Sequence, residues 1–265
     1  MENLRVTLVQ ANLHWEDPTA NLGMFTGKLA GVSNTDVIVL PEMFTTGFSM
    51  NARKLAEEVN GSAVTWMKQT AAEKNAVVTG SLIIKEEGHF YNRLFWVQPD
   101  GKCVWYDKRH LFTLTGEETV FTPGTDKLLV EWKGWNICPL ICYDLRFPVW
   151  SRNKIAGYDL LLYVANWPQR RSYPWKQLLV ARAIENQSYV VGVNRVGNDG
   201  NDVYHAGDSM VVDALGNVLY HKVDEEDVCT VILEKDALHK VREQFQFLRD
   251  ADDFELNPKA KFKSH

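Results

Sequence analysis

Three residues that could carry out acyl chemistry each lie next to a run of residues with strand character. Cys142 follows an apolar run and precedes a polar, aromatic segment, and Glu42 follows the apolar residues 37–41. Lys108 directly follows a third segment of this kind. A short apolar run bounded by turn residues is typical of a buried strand, so we expect all three side chains at strand ends.

A cysteine, a carboxylate and a lysine in such positions can together perform acyl transfer. Glu42 would take the thiol proton, and the thiolate of Cys142 would attack a carbonyl or nitrile carbon. Lys108 and a backbone N–H would stabilise the oxyanion that develops. Water, activated by the same carboxylate, would then hydrolyse the thioester.

Each of these residues also has a simpler interpretation. Glu42 could be a solvated loop acid or a helix cap, Lys108 part of a surface charge run, and Cys142 a packed sulfur. A histidine could also replace the carboxylate as the base, and His110 and His205 have the most suitable sequence context. The strand-end positions favour Glu42 and Lys108.

Strand and helix patterns alternate along the chain, which indicates a layered α/β protein. The helices that we predict span residues 18–32, 62–75, 147–156, 174–186 and 235–244. Hairpin signals, such as the Lys133-Gly134 turn, indicate mixed sheets. Two mixed sheets packed face to face with helices outside fit this pattern, although periodicity alone does not distinguish them from one doubly wound sheet.

Composition sets limits on the organisation and partners of the protein. The 265 residues show no composition break, which predicts a single domain over residues 1–265 with a tail from about residue 245. The net charge of -5 argues against nucleic-acid and membrane partners. The chain starts without a signal-peptide pattern and has no apolar run of bilayer length, so we expect it in the cytoplasm.

We expect neither a cofactor nor a metal. No histidine or cysteine cluster completes a zinc site around Cys138 and Cys142, and four cysteines are no disulfide scaffold here. Cys103, Cys138 and Cys229 are interpreted as small buried hydrophobic residues. A Gly-rich phosphate loop is missing, which argues against nucleotide chemistry.

The segments around the three residues resemble the motifs of the nitrilase, or carbon–nitrogen hydrolase, superfamily, in the family's order. They are residues 41–44 (Pro-Glu-Met-Phe), 107–112 (Asp-Lys-Arg-His-Leu-Phe) and 141–148 (Ile-Cys-Tyr-Asp-Leu-Arg-Phe-Pro). Further similar segments are residues 166–168 (Asn-Trp-Pro), 181–187 (Ala-Arg-Ala-Ile-Glu-Asn-Gln) and 207–209 (Gly-Asp-Ser). The ordered set is very specific and covers nearly the whole chain.

The resemblance implies a role for each residue of the set. Glu42 would be the general base, Lys108 the oxyanion stabiliser and Cys142 the nucleophile. The backbone N–H of Tyr143 would complete the oxyanion hole.

The resemblance also implies a second glutamate and a fold. The glutamate shortly before Pro123-Gly124 would be Glu117, although its neighbour Glu118 fits almost as well. The fold would be α/β, a four-layer α-β-β-α sandwich with two mixed sheets. Its outer helices would pair the chain into a homodimer or a higher homo-oligomer.

Within the superfamily, the chain resembles the bacterial omega-amidases, which release ammonia from the terminal amide of 2-oxoglutaramate and 2-oxosuccinamate. These substrates carry a carboxylate at the far end, which needs a cation in the pocket. Arg170 and Arg171 are the candidates, with Arg171 preferred, and Phe48 and Trp167 would line the wall. The alternatives are a nitrilase, a hydrolase of N-carbamoyl amines, or a non-catalytic interaction module that keeps the fold.

Overall fold

The computed structural model describes residues 2–154 and 157–256. Within these ranges the α-helices are α1 (Pro18–Leu29), α2 (Ala52–Leu55), α3 (Ser62–Lys74), α4 (Glu117–Val120), α5 (Pro148–Ser151), α6 (Ser172–Asn186) and α7 (Lys235–Gln244). The β-strands are β1 (Leu4–Gln10), β2 (Val37–Val39), β3 (Val77–Glu86), β4 (His89–Val97), β5 (Cys103–Asp107), β6 (Val130–Trp132), β7 (Trp135–Ile141), β8 (Leu160–Ala165), β9 (Tyr189–Asn194), β10 (Val196–Asn198), β11 (Tyr204–Val212), β12 (Val218–Val223) and β13 (Asp227–Leu233). Short 3₁₀ helices lie at Thr113–Thr115, Cys142–Arg146, Gln169–Arg171 and Phe247–Asp250.

The first sheet has six strands in the order β13-β1-β2-β3-β4-β5. Its central strands β1, β2 and β3 are parallel, and the outer pairs are antiparallel. Glu42 lies just beyond the end of β2, and Lys108 directly follows β5. This sheet therefore carries two of the three candidate residues at the ends of its strands.

The second sheet has seven strands, in the order β10-β11-β9-β8-β7-β6 with β12 added on β11. Here β7, β8 and β9 are parallel, whereas β6, β11, β10 and β12 pair antiparallel. Cys142 directly follows β7. The nucleophile candidate thus comes from the sheet that does not carry Glu42 and Lys108.

The two sheets pack face to face over a shared apolar core. Side chains alternate along β1, so that Val6 and Leu8 join a cluster with Leu140 and Leu162 of the second sheet. On the opposite face of β1, Val9 belongs to a separate cluster. β2 is buried on both faces in the same way, with Val37 and Val39 in the shared core and Ile38 in the separate cluster, which explains why it is apolar along its whole length.

Helices cover the outer face of each sheet. On the first sheet, Phe25 of α1 and Met67 of α3 pack into the outer cluster. On the second sheet, α6 packs closely against β9. A Cβ atom at Gly192 of β9 would lie 2.8 Å from a methyl carbon of Leu179 on α6. These layers confirm the four-layer α-β-β-α sandwich and exclude one doubly wound sheet.

One predicted helix is wrong in its extent. The segment predicted as a helix over residues 147–156 forms only α5, which ends at Ser151. The main-chain N–H of Asn153 donates to the side chain of Asn186 at 2.8 Å, so it is not available to continue the helix. Ala156 lies outside the described residues. The other four predicted helices are confirmed, with ends that differ by a few residues at most.

The described part of the chain after α7 has little regular secondary structure. After α7 and the 3₁₀ helix at Phe247–Asp250, residues 251–256 have no regular secondary structure. Residues 257–265 of the predicted tail lie outside the described residues. Among the residues that the structure describes, no helix is both long and apolar enough to span a bilayer.

Candidate active site

The ends of β2, β5 and β7 bring Glu42, Lys108 and Cys142 together at one place between the sheets. The Lys108 Nζ atom lies 2.9 Å from Glu42 Oε1, and the charges of Glu42 and Lys108 both act on the pKa of the Cys142 thiol, which burial raises. Lys108 and Cys142 both line one cavity of about 550 Å³. The three residues singled out by the sequence are therefore close enough to act on one bound molecule.

Lys108 is a buried cation held by two carboxyl groups. Besides its contact with Glu42, its Nζ atom lies 2.9 Å and 3.0 Å from the two carboxyl oxygens of Glu117. Burial alone would lower the pKa of Lys108, but the charges of Glu117 and Glu42 outweigh it and raise that pKa. Lys108 therefore stays charged, as a residue that stabilises an oxyanion must.

Glu117, and not Glu118, is the glutamate that contacts Lys108. The Glu117 side chain is fully buried, whereas Glu118 is exposed to solvent. The Oε2 atom of Glu117 accepts a hydrogen bond from the Phe112 main-chain N–H at 2.5 Å, which fixes the carboxyl group against Lys108. Burial raises the pKa of Glu117 above its ordinary value, while the charge of Lys108 opposes the shift.

Both carboxyl oxygens of Glu42 have further donors. Asn92 on β4 donates through its Nδ2 atom to Oε1 at 2.8 Å, and the Asn166 main-chain N–H donates to Oε2 at 2.8 Å. These donors hold the carboxylate in one orientation between Lys108 and Cys142. Sequence reasoning did not identify Asn92, because nothing in the middle of a strand distinguishes an asparagine that faces a distant carboxylate.

Cys142 has a left-handed backbone conformation, with φ of 43°. Such a conformation is uncommon for a residue with a side chain and is often found at active sites. The residue is 8% exposed and lines the cavity. Burial and the nearby charge of Glu42 raise the pKa of Cys142 well above its ordinary value, against the effect of Lys108. A raised thiol pKa favours the neutral form, so a nucleophilic role for Cys142 would require a base.

Asp144 fixes the turn that carries Cys142. Its buried carboxylate accepts hydrogen bonds from the Ile141 main-chain N–H at 3.0 Å and from the Tyr106 hydroxyl at 2.8 Å. It also accepts one from the main-chain N–H of His110 at 3.0 Å. Because His110 lies two residues after Lys108, this one side chain aligns the lysine segment with the nucleophile turn.

The two histidines considered as alternative bases have other partners. The His110 Nδ1 atom lies 2.8 Å from Asp144, and its ring stacks on Phe147. His205 lines the cavity, but its Nδ1 atom faces the Val203 carbonyl oxygen at 2.9 Å. Burial and the charge of Arg195 lower the pKa of His205 to about 4. The geometry thus favours Glu42 as the base.

Aromatic side chains form much of the cavity wall. Phe48, Tyr143 and Trp167 line it, as we expected for Phe48 and Trp167. The ring of Phe48 lies 5.1 Å from the Lys108 ammonium group, and Tyr143 packs edge-on against Phe112. These rings give one part of the cavity an apolar wall, whereas much of the remaining lining is polar and includes Asn51 and Asp199.

Two arginines bring positive charge to this wall. Arg171 lies 5.0 Å over the Phe112 ring, and Arg146 lies 5.0 Å over the Trp167 ring. Burial, and then the charge of Arg170, lower the pKa of Arg171, and Arg146 adds to this effect. Arg170 also lines the cavity but is exposed to solvent.

Arg146 was not among the residues that the sequence identified as substrate-binding. Neither Arg146 nor Arg171 forms a salt bridge with an acidic side chain among residues 2–154 and 157–256. The sequence feature that could have identified Arg146 is its position four residues after Cys142, in the same motif. The short 3₁₀ helix at Cys142–Arg146 makes about one turn, which returns Arg146 to the cavity side.

Comparison with known proteins gives consistent matches over nearly the whole chain. The family model described as carbon-nitrogen hydrolase matches residues 5–243. The omega-amidase YafV of Escherichia coli (strain K12) is 47% identical over 262 residues, covering 97% of this chain and 100% of that protein. The 2-oxoglutaramate amidase of Bacillus subtilis (strain 168) is 35% identical, covering 92% of this chain and 96% of that protein.

A solved structure agrees with the whole fold. XC1258 from Xanthomonas campestris, a CN-hydrolase superfamily protein with an arsenic adduct in its active site, superposes with a TM-score of 0.96. It is 44% identical, and the match covers 97% of this chain and 100% of that one.

Proposed function

Because this chain belongs to the carbon–nitrogen hydrolase family, we propose that it is an omega-amidase acting on 2-oxoglutaramate and 2-oxosuccinamate. The observation that carries the proposal is the placement of Arg146 and Arg171, without acidic partners among the described residues, in the cavity that contains Cys142. A short substrate with an amide at one end and a carboxylate at the other matches this arrangement. The names of the similar proteins support the same activity.

In the proposed acylation step, the Cys142 sulfur attacks the carbon of the terminal amide. Glu42 takes the thiol proton as the bond forms, since the raised thiol pKa favours the neutral form. The Lys108 ammonium group and the Tyr143 main-chain N–H stabilise the oxyanion. Glu42 then returns the proton to the nitrogen, ammonia leaves, and an acyl thioester remains on Cys142.

In the proposed deacylation step, water replaces ammonia. Glu42 takes a proton from the water, whose oxygen attacks the thioester carbon, and the thiol leaves with a proton. The sum of the two steps consumes one water and gives ammonia and the oxo-diacid. Glu117 keeps Lys108 in place throughout, because its two oxygens hold the same ammonium group.

The substrate carboxylate would bind to Arg171, with Arg146 as a second cation. Aromatic contacts fix the guanidinium groups in orientation but leave their N–H donors free for a carboxylate. Phe48 and Trp167 would hold the carbon chain between the two ends of the substrate.

Replacing Arg171 by methionine tests the carboxylate site. We expect the KM for 2-oxoglutaramate to rise about tenfold to a hundredfold, because a hydrogen bond to a charged group contributes about 1.5–3 kcal/mol. Trp167 donates to the main-chain carbonyl of Arg171 at 2.6 Å, and this contact survives the substitution. The matched control is Arg170→Met, which removes the same charge from an exposed neighbour. Equal effects of the two variants would contradict the assignment.

A substrate panel tests the activity itself. Purified wild-type protein should release ammonia from 2-oxoglutaramate with a higher kcat/KM than from an aliphatic nitrile or an N-carbamoyl amine. Lack of turnover of 2-oxoglutaramate would refute the proposal. A preference for the nitrile or the carbamoyl compound would instead assign one of the other activities of the superfamily.

We further infer that the chain acts in the cytoplasm as a homodimer or a higher homo-oligomer. Large apolar side chains on the outer helices support the oligomer, since Val149 on α5 and Tyr173 and Ile184 on α6 are exposed in the isolated chain.

A further inference from the structure

Asn166 directly follows β8 and contacts the base of the candidate site twice. Its main-chain N–H donates to Glu42 Oε2 at 2.8 Å, and its side-chain Nδ2 donates to the main-chain carbonyl oxygen of Glu42. Burial raises the pKa of the Cys142 thiol, and the Asn166 main-chain N–H opposes this shift. Asn166 therefore lies against both the base and the nucleophile.

The remaining polar atom of Asn166 has no partner within the described residues. Its Oδ1 atom is buried and accepts no hydrogen bond, although the residue lines the cavity. The assignment of oxygen and nitrogen follows from the network, because exchanging them would place two oxygens against each other at Glu42. A buried acceptor without a donor is costly, so a ligand that supplies an N–H is the natural partner.

We propose that Asn166 Oδ1 accepts a hydrogen bond from the –NH₂ group of the scissile amide and so selects amides over esters and nitriles. This inference rests on the proposed amidase function. An amide carries the donor that the oxygen needs, whereas the alkoxy oxygen of an ester and the nitrogen of a nitrile carry none. The bond is kept when the nitrogen gains its proton from Glu42, because departing ammonia also has N–H donors.

Asn166 also positions Glu42, and the test must separate this role from the selection of amides over esters. Its two donors hold Glu42, so any variant will slow every substrate that depends on this base. Asn92 provides a matched comparison because it also donates to Glu42, at 2.8 Å, but does not line the cavity. Asn92 Oδ1 is likewise buried without a donor among the described residues, so the two asparagines differ in that Asn166 alone of the pair lines the cavity.

The test compares 2-oxoglutaramate with the ester of the same acid, in which a methoxy group replaces the terminal –NH₂. The ratio of their kcat/KM values reports the acylation step for each. Asn166→Ala should lower this amide-to-ester ratio at least about tenfold, the value of one hydrogen bond of about 1.4 kcal/mol. Asn92→Ala should slow both substrates and leave the ratio within about twofold of wild type.

A second variant covers the case in which the alanine variant does not fold. Asn166→Asp keeps the acceptor but places a second oxygen against the main-chain carbonyl oxygen of Glu42, so it should lose absolute rate while it retains most of the wild-type ratio. Equal loss for amide and ester in Asn166→Ala, or a fallen ratio in Asn166→Asp, would overturn the inference. Failure of the wild-type protein to hydrolyse 2-oxoglutaramate would instead refute the proposed function, so the two failures are distinguishable.

Discussion

Replacing Cys142 by alanine is expected to abolish ammonia release from 2-oxoglutaramate, with a loss of at least about a thousandfold in kcat. Without the sulfur no thioester can form, and Glu42 and Lys108 would have to activate water directly on a stable amide. Ammonia release measures the loss, and thermal unfolding should show that the variant is folded, since the side chain that is removed is small.

Intact-mass measurement tests directly whether an acyl thioester forms on Cys142. The wild-type protein, quenched during turnover, should carry an acyl adduct, and Cys142→Ala should carry none. Cys138→Ala is the matched control, because Cys138 lies on β7, which Cys142 directly follows, but does not line the cavity. Burial raises the pKa of Cys138 to about 12, which makes its thiol inert. An adduct on any cysteine other than Cys142 would contradict the assignment.

The strand-end positions were predictable because they depend on local sequence. An apolar run that stops abruptly at a polar residue marks the point where a buried strand leaves the sheet. Glu42, Lys108 and Cys142 each follow such a run, and the structure places all three side chains together. Their shared location could not be derived from the patterns alone, since two of them come from one sheet and the third from the other.

The contacts that orient these residues were beyond sequence reasoning. Asn92 reaches Glu42 because β4 pairs with β5 in a register that sets Asn92 beside Lys108, whose main-chain N–H donates to the Asn92 carbonyl oxygen. Arg146 enters the cavity only because the segment after Cys142 turns within a few residues. The prediction of where the helix after Phe147 ends was wrong for a similar reason. A distant residue, Asn186, accepts the hydrogen bond of the main-chain N–H that would have continued the helix.

The number of sheets could not be read from the chain for a related reason. Strands that are buried on both faces have the same composition in a sandwich as in a doubly wound sheet. What distinguishes the two is which strands pair, and β1 pairs with β13, more than two hundred residues away. The resemblance to known proteins supplied that information, whereas periodicity did not.

Replacing Lys108 by methionine is expected to abolish activity and to destabilise the fold. Glu42 and Glu117 would remain buried without their cation, and breaking a buried ion pair by removal of one partner costs about 3–5 kcal/mol. Urea unfolding measures this cost. The matched control is Lys28→Met, because Lys28 pairs with Glu226 at 3.0 Å where solvent reaches both groups. That substitution should cost no more than about 1 kcal/mol.

The double variant Lys108→Met/Glu117→Gln separates stability from catalysis. It removes one buried negative charge, so it should recover much of the lost stability while remaining inactive, because no cation is left for the oxyanion. Recovery of activity would show that Lys108 acts only through its charge balance with Glu117. Failure to recover stability would show that the ion pairs are not what Lys108 contributes to the fold.

The pH dependence of the single variant gives an independent test of the same ion pairs. Burial already raises the pKa of Glu117 in the wild-type protein, and loss of Lys108 removes the charge that opposes this shift. A carboxyl group whose pKa is raised on folding stabilises the folded state below its unfolded pKa and loses that effect as the pH rises. The destabilisation of Lys108→Met should therefore be smaller at about pH 5 than at about pH 7. An equal or larger destabilisation at the lower pH would mean that Glu117 is not left as an uncompensated buried charge.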